Sequence, residues 1–260
     1  MQDNGVLNRF SLAGKVVLLT GGAGLYGRGL TADLAAAGAT LIIASRNLDA
    51  LRTVAAEEAA KGHCVEAEQY DQSSNDSIVA LLDRILQRHG RIDGLVNNSV
   101  ARVAEKALDK KLELSMQINA TGLILMHHHF CNAMARQGSG SVVNIGSMYG
   151  MVGPNLGLYK GTNMPDPSPD YFFHKGGMIN LTRYYAGMFG RYGVRVNCLS
   201  PGGFFNHQPE PFVENYKEHT YLKRMADPED LGGAVIFLLS SAAKYITGVN
   251  IPVDGGLDRK

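Results

Sequence analysis

Tyr171 and Lys175 stand four apart in the run Tyr171-Phe172-Phe173-His174-Lys175, and Ser147 lies upstream in Asn144-Ile145-Gly146-Ser147. Residues i and i+4 share one face of a helix, so a helix through this run sets an ammonium beside a phenol. A free phenol titrates near about 10, and a neighbouring positive charge lowers that by roughly 1–3 units. The pair is then an acid/base usable near neutral pH, and a strand that delivers Ser147 adds a second hydroxyl. Tyr-x-x-x-Lys alone is a common spacing, so its meaning rests on the elements that position it.

Those elements begin with Lys15 to Thr20, a short apolar run with β-branched residues that reads as a buried parallel strand. The glycine-rich turn Thr20-Gly21-Gly22-Ala23-Gly24-Leu25-Tyr26-Gly27 follows, then helical spacing from Arg28 to Ala37, closed by Gly38, and a second strand from Leu41 to Ala44. This β-α-β unit suits a pyrophosphate, because glycines let the backbone approach it and a helix N-terminus offers amide donors and a favourable dipole. Further on, helices are expected at 78–89, 112–136, 171–192 and 228–240, and strands at 94–98, 141–146, 195–200 and 250–253. Regular alternation with no linker or repeat predicts one α/β domain over 1–260, a doubly wound, Rossmann-type parallel sheet with ligands at the carboxyl ends of its strands.

With the glycine turn, Asp71, Asn97-Asn98, Asn119, Ser147, Tyr171, Lys175 and Pro201-Gly202 in this order, the chain resembles the short-chain dehydrogenase/reductases from Gly14-Lys15-Val16-Val17 to Val253-Asp254-Gly255-Gly256. The resemblance implies a nicotinamide-dependent oxidoreductase. Tyr171 would exchange the proton, Ser147 would hold the substrate oxygen, Lys175 would lower the tyrosine pKa and bond the nicotinamide ribose, and Asn119 would hold a water joining Lys175 to solvent. Cofactor contacts are implied for Thr20, Gly21, Gly24, Leu25, Tyr26, Gly27, Ser45, Arg46, Asp71, Asn97, Tyr171, Lys175, Pro201, Gly202 and Phe204. An acid at the end of the second strand would select NAD; Ser45 stands there with Arg46 next to it, and a guanidinium matches a 2′-phosphate, which favours NADP with NAD as the alternative.

The chain departs from the family pattern in places. The usual turn places a glycine at position 25, where this sequence has Leu25, and its Gly21, Gly24, Gly27 spacing looks like the extended branch of the family. Asn97-Asn98-Ser99-Val100 lacks the usual Ala-Gly, and Asn206 occupies a place where a threonine commonly contacts the nicotinamide amide. Ser147 and Tyr171 are 24 positions apart, about twice the usual separation, so part of 151–170 looks like an insertion. Tyr159 lies near the usual distance but is followed four residues later by Asn163 rather than lysine, which leaves Tyr171 as the acid/base and Tyr159 as a substrate contact.

The segments 151–170 and 204–221 break the alternation and read as substrate-facing loops. Their polar Lys160, Thr162, Asn163, Asn206, His207 and Gln208 suit a hydroxyl-rich substrate. The runs around Gly24-Leu25, Tyr159 to Met164 and Lys175 to Tyr184 are similar to a subgroup associated with bacterial surface-sugar and flagellin-glycan biosynthesis. That implies a sugar, amino sugar or nonulosonate, with a 3-oxoacyl-type or other small-ketone reductase and a non-catalytic cofactor-binding regulator as alternatives.

Composition bounds the partners. A 260-residue chain with 45% hydrophobic residues can bury a sizeable core, and a formal charge of +1 without a basic block gives no footprint for nucleic acid. Three scattered cysteines fit a reducing compartment and argue against a disulfide framework or a zinc site. No apolar run approaches a membrane span, and the polar Met1-Gln2-Asp3-Asn4 is no signal peptide, so a cytoplasmic protein without a membrane partner is expected. His127-His128-His129 are adjacent on a helix and so diverge, which points to packing rather than to a metal. The 171–192 helix carries more apolar surface than one sheet face uses, and family members commonly pair this helix, so a homo-oligomer, dimer or tetramer, is expected.

Overall fold

Strand residues of opposite parity go to opposite faces, and here both faces are apolar. Leu18, Ile42, Leu95, Val142 and Val196 enter one core, while Val17, Leu19, Leu41, Ile43, Val96, Val143 and Leu199 enter the other. Only a sheet covered by helices on both sides accommodates that pattern. In the computed structural model, which describes residues 5–257, it is met by one seven-stranded sheet in the order β3-β2-β1-β4-β5-β6-β7, every pairing parallel. The polar start Met1–Asn4 lies outside the described residues.

In chain order the elements are β1 (Val16–Thr20), α1 (Leu25–Ala36), β2 (Thr40–Ser45), α2 (Leu48–Ala59), β3 (Val65–Gln69), α3 (Asn75–His89), β4 (Gly94–Asn97), α4 (Leu108–Met116), α5 (Gly122–Gln137), β5 (Gly140–Ile145), α6 (Pro169–Phe189), β6 (Val194–Pro201), α7 (Glu210–His219), α8 (Gly232–Leu239) and β7 (Asn250–Val253). Strand order reverses between β1 and β4, so the two βαβ halves diverge there and leave a crevice at the strands' carboxyl ends. The expected single doubly wound domain is the one observed.

Three expected elements differ, each for a local reason. The helix expected over 112–136 is broken into α4 and α5 by a π turn at Gln117–Thr121. The helix expected from 228 begins only at Gly232, because the Asp230 carboxylate accepts from the Asp227 amide at 2.8 Å and from Arg224 Nη1 and Nη2 at 2.5 and 2.6 Å, closing a turn before it. The loop expected over 204–221 contains α7, whose Phe212 and Tyr216 are buried in a small third core with Met148, Leu158, Met225 and Leu257. In the other expected loop, a 3-10 turn forms at Leu156–Tyr159, and Pro169 at the first position of α6 starts that helix two residues before Tyr171.

The three histidines of α5 diverge. His127 is wholly buried, stacks on Tyr185 with centroids 4.7 Å apart, and its Nδ1 lies 2.9 Å from the Leu123 carbonyl. His128 is exposed, and His129 Nε2 meets Asn75 Oδ1 at 2.8 Å. Burial pushes His127 down to about 4, and burial followed by the charge of Lys175 does the same to His174. Both folded values lie below the unfolded one, so the unfolded chain takes up protons first as pH falls. Stability should therefore decline from about pH 6.5 to about pH 4, by up to about 1.4 kcal/mol per pH unit for each histidine. Urea unfolding at several pH values checks this: His127→Phe, which keeps the ring stack, is expected to lose less stability on acidification than the parent protein. Equal slopes would remove His127 as a cause.

Candidate active site

Two glycines bring Ser147 and Lys175 together. A Cβ on Gly146 would lie 2.8 Å from Cys198 Sγ, and one on Gly150 would lie 2.6 Å from the Lys175 carbonyl, so only glycine lets the chain leaving β5 run this close to β6 and α6. Between them Ser147 is buried, and its Oγ accepts from the Tyr149 amide at 3.2 Å to start a short 3-10 turn.

Lys175 reaches back from the second turn of α6 and donates from Nζ to the Ile145 carbonyl at 2.6 Å. It is 3% exposed, and burial lowers its pKa while the neighbouring Tyr171 acts in the opposite sense. Its Nζ sits 5.7 Å from the centroid of the Tyr171 ring, as the i, i+4 spacing requires. His174 and Tyr149 flank Tyr171 edge-on at 5.3 and 6.5 Å.

Asn119 lies in the π turn and is buried. Its Oδ1 accepts from the Ala101 amide at 2.8 Å, and its Nδ2 donates to the Ala101 carbonyl at 2.9 Å and to Ser115 Oγ at 3.2 Å. The side chain thus latches the chain leaving β4, while the wider π turn takes a carbonyl out of the regular helix ladder, a device frequent at functional sites.

The remaining sequence-predicted residues stand along the carboxyl ends of β1 to β6. Thr20 Oγ1 accepts from the Asn98 and Ser99 amides at 3.0 Å each, tying β1 to β4. Gly21 has φ +71°, and a Cβ on Gly27 would stand 1.9 Å from the Gly21 carbonyl oxygen. Gly24 precedes α1 with no side-chain cap, Leu25 is its first residue and half-exposed, and Tyr26 turns inward to bond the Gly202 carbonyl at 3.1 Å. Because Leu25 has a helical backbone, the missing glycine at 25 imposes no strain; the left-handed position in this turn is Gly21.

Ser45 ends β2, and Arg46 beside it is exposed. Asp71 is held below the usual carboxylate range, chiefly by the Ser73 amide at 2.9 Å, with a contribution from Arg46. Asn97 donates to Asn144 Oδ1 at 2.9 Å, but its own buried Oδ1 has no hydrogen-bond partner among the described residues. Pro201 ends β6, and Phe204 meets the Tyr26 ring edge-on at 4.7 Å. Tyr159 bonds the Tyr149 hydroxyl at 2.9 Å and packs on Phe212, while Asn206 is exposed with its amide on Gln208 Oε1 at 2.7 Å.

A dinucleotide fits this arrangement: the tight glycine turn, the uncapped helix start and the exposed Arg46 are what a pyrophosphate and an adenosine ribose require. Comparison with known proteins agrees. The family model described as "Enoyl-(Acyl carrier protein) reductase" matches residues 24–258. The chain belongs to the short-chain dehydrogenase/reductase family. Among its relatives are a post-translational flagellin modification protein A from Campylobacter coli, 28% identical with 94% of this chain and 98% of that one covered, and a 3-oxoacyl-[acyl-carrier-protein] reductase FabG from Thermotoga maritima, 30% identical with 95% and 98% covered. Solved structures with the same fold include a gluconate 5-dehydrogenase from Burkholderia cenocepacia in complex with NADP and tartrate, TM-score 0.86, 28% identical, covering 98% of this chain and 100% of that one. Another is a short-chain dehydrogenase from Leptospira borgpetersenii with bound NAD+, TM-score 0.83, 30% identical, covering 95% and 93%. This short-chain dehydrogenase/reductase is accordingly an NAD(P)-dependent oxidoreductase acting between alcohol and ketone.

Sequence reasoning missed part of the site's support. Asp170, adjacent to Tyr171, accepts from Ser115 Oγ at 2.5 Å and from Ser168 Oγ, to which Lys111 also donates at 3.0 Å. Burial would raise Asp170, but these hydroxyls and the Lys111 charge outweigh it and hold the carboxyl low. The run Ser168-Pro169-Asp170 is a helix-start signal that could have marked it. Tyr149 and Tyr216 carried no signal, since only the tertiary fold brings them to the site.

Proposed function

We propose that this enzyme interconverts a secondary alcohol and a ketone on a sugar, amino sugar or nonulosonate, free or nucleotide-activated, in surface-glycan biosynthesis. The observation that carries the reading is the pair of hydroxyls on Tyr149 and Tyr159, 2.9 Å apart beside Tyr171. Hydroxyl pairs both donate and accept, as a polyol needs. Lys160, Thr162, Asn163, His207 and Gln208 on the two flanking segments add polar partners, and the likeness to a flagellin modification protein and to a gluconate dehydrogenase supports the same class. The likeness to a 3-oxoacyl reductase favours an acyl thioester as the second reading. A regulator without turnover is set aside, because Ser147, Tyr171 and Lys175 are present and gathered in one place.

In this reading the nicotinamide supplies or accepts a hydride at the substrate carbon. In the reducing direction Tyr171 gives its hydroxyl proton to the carbonyl oxygen, and the Lys175 ammonium stabilises the phenolate left behind. Ser147 Oγ bonds the same oxygen and fixes it against Tyr171. The Tyr171 phenolate is then reprotonated from Lys175, which regains its proton from solvent through a water held by Asn119. Thr20, Gly21, Gly24, Leu25, Tyr26 and Gly27 form the pyrophosphate turn, Asp71 and Asn97 flank the adenosine and the strand end, and Pro201, Gly202 and Phe204 border the nicotinamide. The segments 151–170 and 204–221 face the substrate, with Tyr159 and Asn206 as contacts, and the enzyme acts in the cytoplasm.

Tyr171→Phe keeps the ring and removes the proton. It should bind cofactor as the parent does and lose at least about a hundredfold in kcat, whereas Tyr159→Phe should act mainly on KM. Steady-state assays with a panel of keto-sugars and acyl thioesters read both the roles and the substrate class. An active Tyr171→Phe protein would remove the tyrosine from the chemistry, and turnover of thioesters alone would replace the sugar reading.

Arg46, exposed at the end of β2, is assigned to the 2′-phosphate of NADP. NADPH should bind roughly 10–100-fold more tightly than NADH, as expected for a bidentate charged contact of about 1.5–3 kcal/mol. Fluorescence titration with both cofactors tests this; equal affinities, or no loss of NADPH affinity in Arg46→Ala, would reverse the assignment.

Phe173, Tyr184 and Met188 on α6 are half to two-thirds exposed, with Leu114 of α4 and Ile124 of α5 also exposed. A second copy of the chain, in a dimer or tetramer, is the occupant proposed for this face. Light scattering should give a mass two or four times that of the protomer; a fully active monomer would dispose of it.

A further inference from the structure

The peptide unit joining Gly202 to Gly203 is held at both ends by tyrosines from distant parts of the chain. Its carbonyl accepts from the Tyr26 hydroxyl at 3.1 Å, and its N–H donates to the Tyr216 hydroxyl at 2.6 Å. Tyr26 belongs to the first turn of α1, at the glycine turn, and Tyr216 to α7, in the segment assigned to the substrate. One rigid amide therefore links two elements that otherwise belong to separate cores, the sheet-facing cluster behind Tyr26 and the small cluster of Tyr216, Met148 and Leu158.

The contact depends on both residues being glycine. A Cβ at 202 would lie 2.6 Å from the Tyr216 hydroxyl, and one at 203 would lie 2.9 Å from its ring. Each tyrosine is also fixed on its far side. The Tyr26 ring meets Phe204 edge-on at 4.7 Å, and burial, with the nearby Tyr216 phenol adding to it, pushes the Tyr26 pKa upward, so it stays a donor at any working pH. Tyr216 is 1% exposed, and its hydroxyl stands 3.9 Å from Met148 Sδ, in the residue after Ser147. From α7 the same body reaches the inserted segment, where Asn215 Nδ2 donates to the Leu158 and Lys160 carbonyls at 3.2 and 2.8 Å.

We propose that Tyr26 and Tyr216 are positioning residues that clasp the 202–203 peptide and so transmit occupancy of the glycine turn to α7 and the segment packed on it. A ligand shifts a second site only through contacts that differ between its two arrangements. The clasp provides such a contact, because a dinucleotide that orders the first turn of α1 orders the Tyr26 hydroxyl, and with it the peptide that Tyr216 grips. By reciprocity, a substrate that steadies α7 tightens cofactor binding by the same factor.

This inference rests on the dinucleotide occupying the 20–27 turn, and the test separates the two. Hydrogen exchange of residues 210–219 is measured by mass spectrometry with and without saturating NADPH, in the parent protein, in Tyr216→Phe and in Tyr26→Phe, with cofactor affinity determined in parallel. In the parent, NADPH is expected to slow exchange of 210–219 by about 5–10-fold, the range of a typical coupling. Tyr216→Phe is expected to bind NADPH within about threefold of the parent yet lose most of that slowing, and Tyr26→Phe, read at saturating NADPH, should lose it from the other side. The double variant should be no worse than either single one, because both cut one link. Normal cofactor binding with undiminished slowing in Tyr216→Phe, or with none in the parent, overturns the clasp. Failure of the parent to bind either cofactor would instead overturn the assignment of the glycine turn.

Discussion

A lysine ammonium that is almost wholly buried, with a backbone carbonyl rather than a carboxylate as its hydrogen-bond acceptor, is the constraint around which this molecule is arranged. Removing an ammonium from water costs several kcal/mol even after relaxation, and a carboxylate partner would return most of it. Lys175 forms no ion pair among the described residues; it donates to Ile145 O instead. A neutral acceptor satisfies one of its donors without cancelling its charge, so the field of the ammonium remains available to Tyr171 one helical turn away. Gly146 and Gly150 are the steric condition for this, since either Cβ would push the chain leaving β5 off its neighbours.

The parts of this arrangement that were legible in the sequence are those encoded by local spacing. The four-residue step from Tyr171 to Lys175, the glycine turn after an apolar strand and the alternation of strands with helices each follow from a fixed period, so they survive folding unchanged. What was not legible depends on residues far apart in sequence. The π turn at Gln117–Thr121 has no compositional mark, because its cause is the Asn119 side chain bonding both backbone groups of Ala101. Likewise α7 is short and has Pro209 and Pro211 at its start, so 204–221 reads as a loop; it is a helix because Phe212 and Tyr216 find a core that only the inserted segment and the chain after β7 complete. Tyr159 is legible as a site candidate only from its distance to Ser147, whereas its partner in the structure, the Tyr149 hydroxyl, belongs to a residue that no motif singles out.

Leu25 shows how a departure from a family pattern can leave the chemistry intact. The turn needs one left-handed residue and one position where the helix can pass the preceding strand end without a Cβ. Gly21 supplies the first and Gly27 the second, so position 25 is free to be an ordinary helical residue exposed to solvent. Starting the helix at Leu25 also sets Tyr26 inward, within reach of the Gly202 carbonyl. The spacing that looks borrowed from the extended branch is thus consistent with a short-chain fold, and it comes with an added link between the glycine turn and the end of β6.

The segments 151–170 and 204–221 are built on a core of their own. Met148, Leu158, Phe212, Tyr216, Met225 and Leu257 pack together outside the two clusters that clamp the sheet. Side chains in this third cluster can be exchanged without opening a cavity against a central strand, where a lost methylene group is felt throughout the fold. In the proposed reading recognition is thereby separated from the hydride chemistry: the sheet and α6 hold Ser147, Tyr171 and Lys175, while α7 and the segment 151–170 would set which hydroxyls or chains are admitted. Such a separation would let one fold serve relatives as different as a gluconate 5-dehydrogenase and a 3-oxoacyl reductase, and it is why the proposed substrate class is argued from the polar residues of the two segments rather than from Ser147, Tyr171 and Lys175.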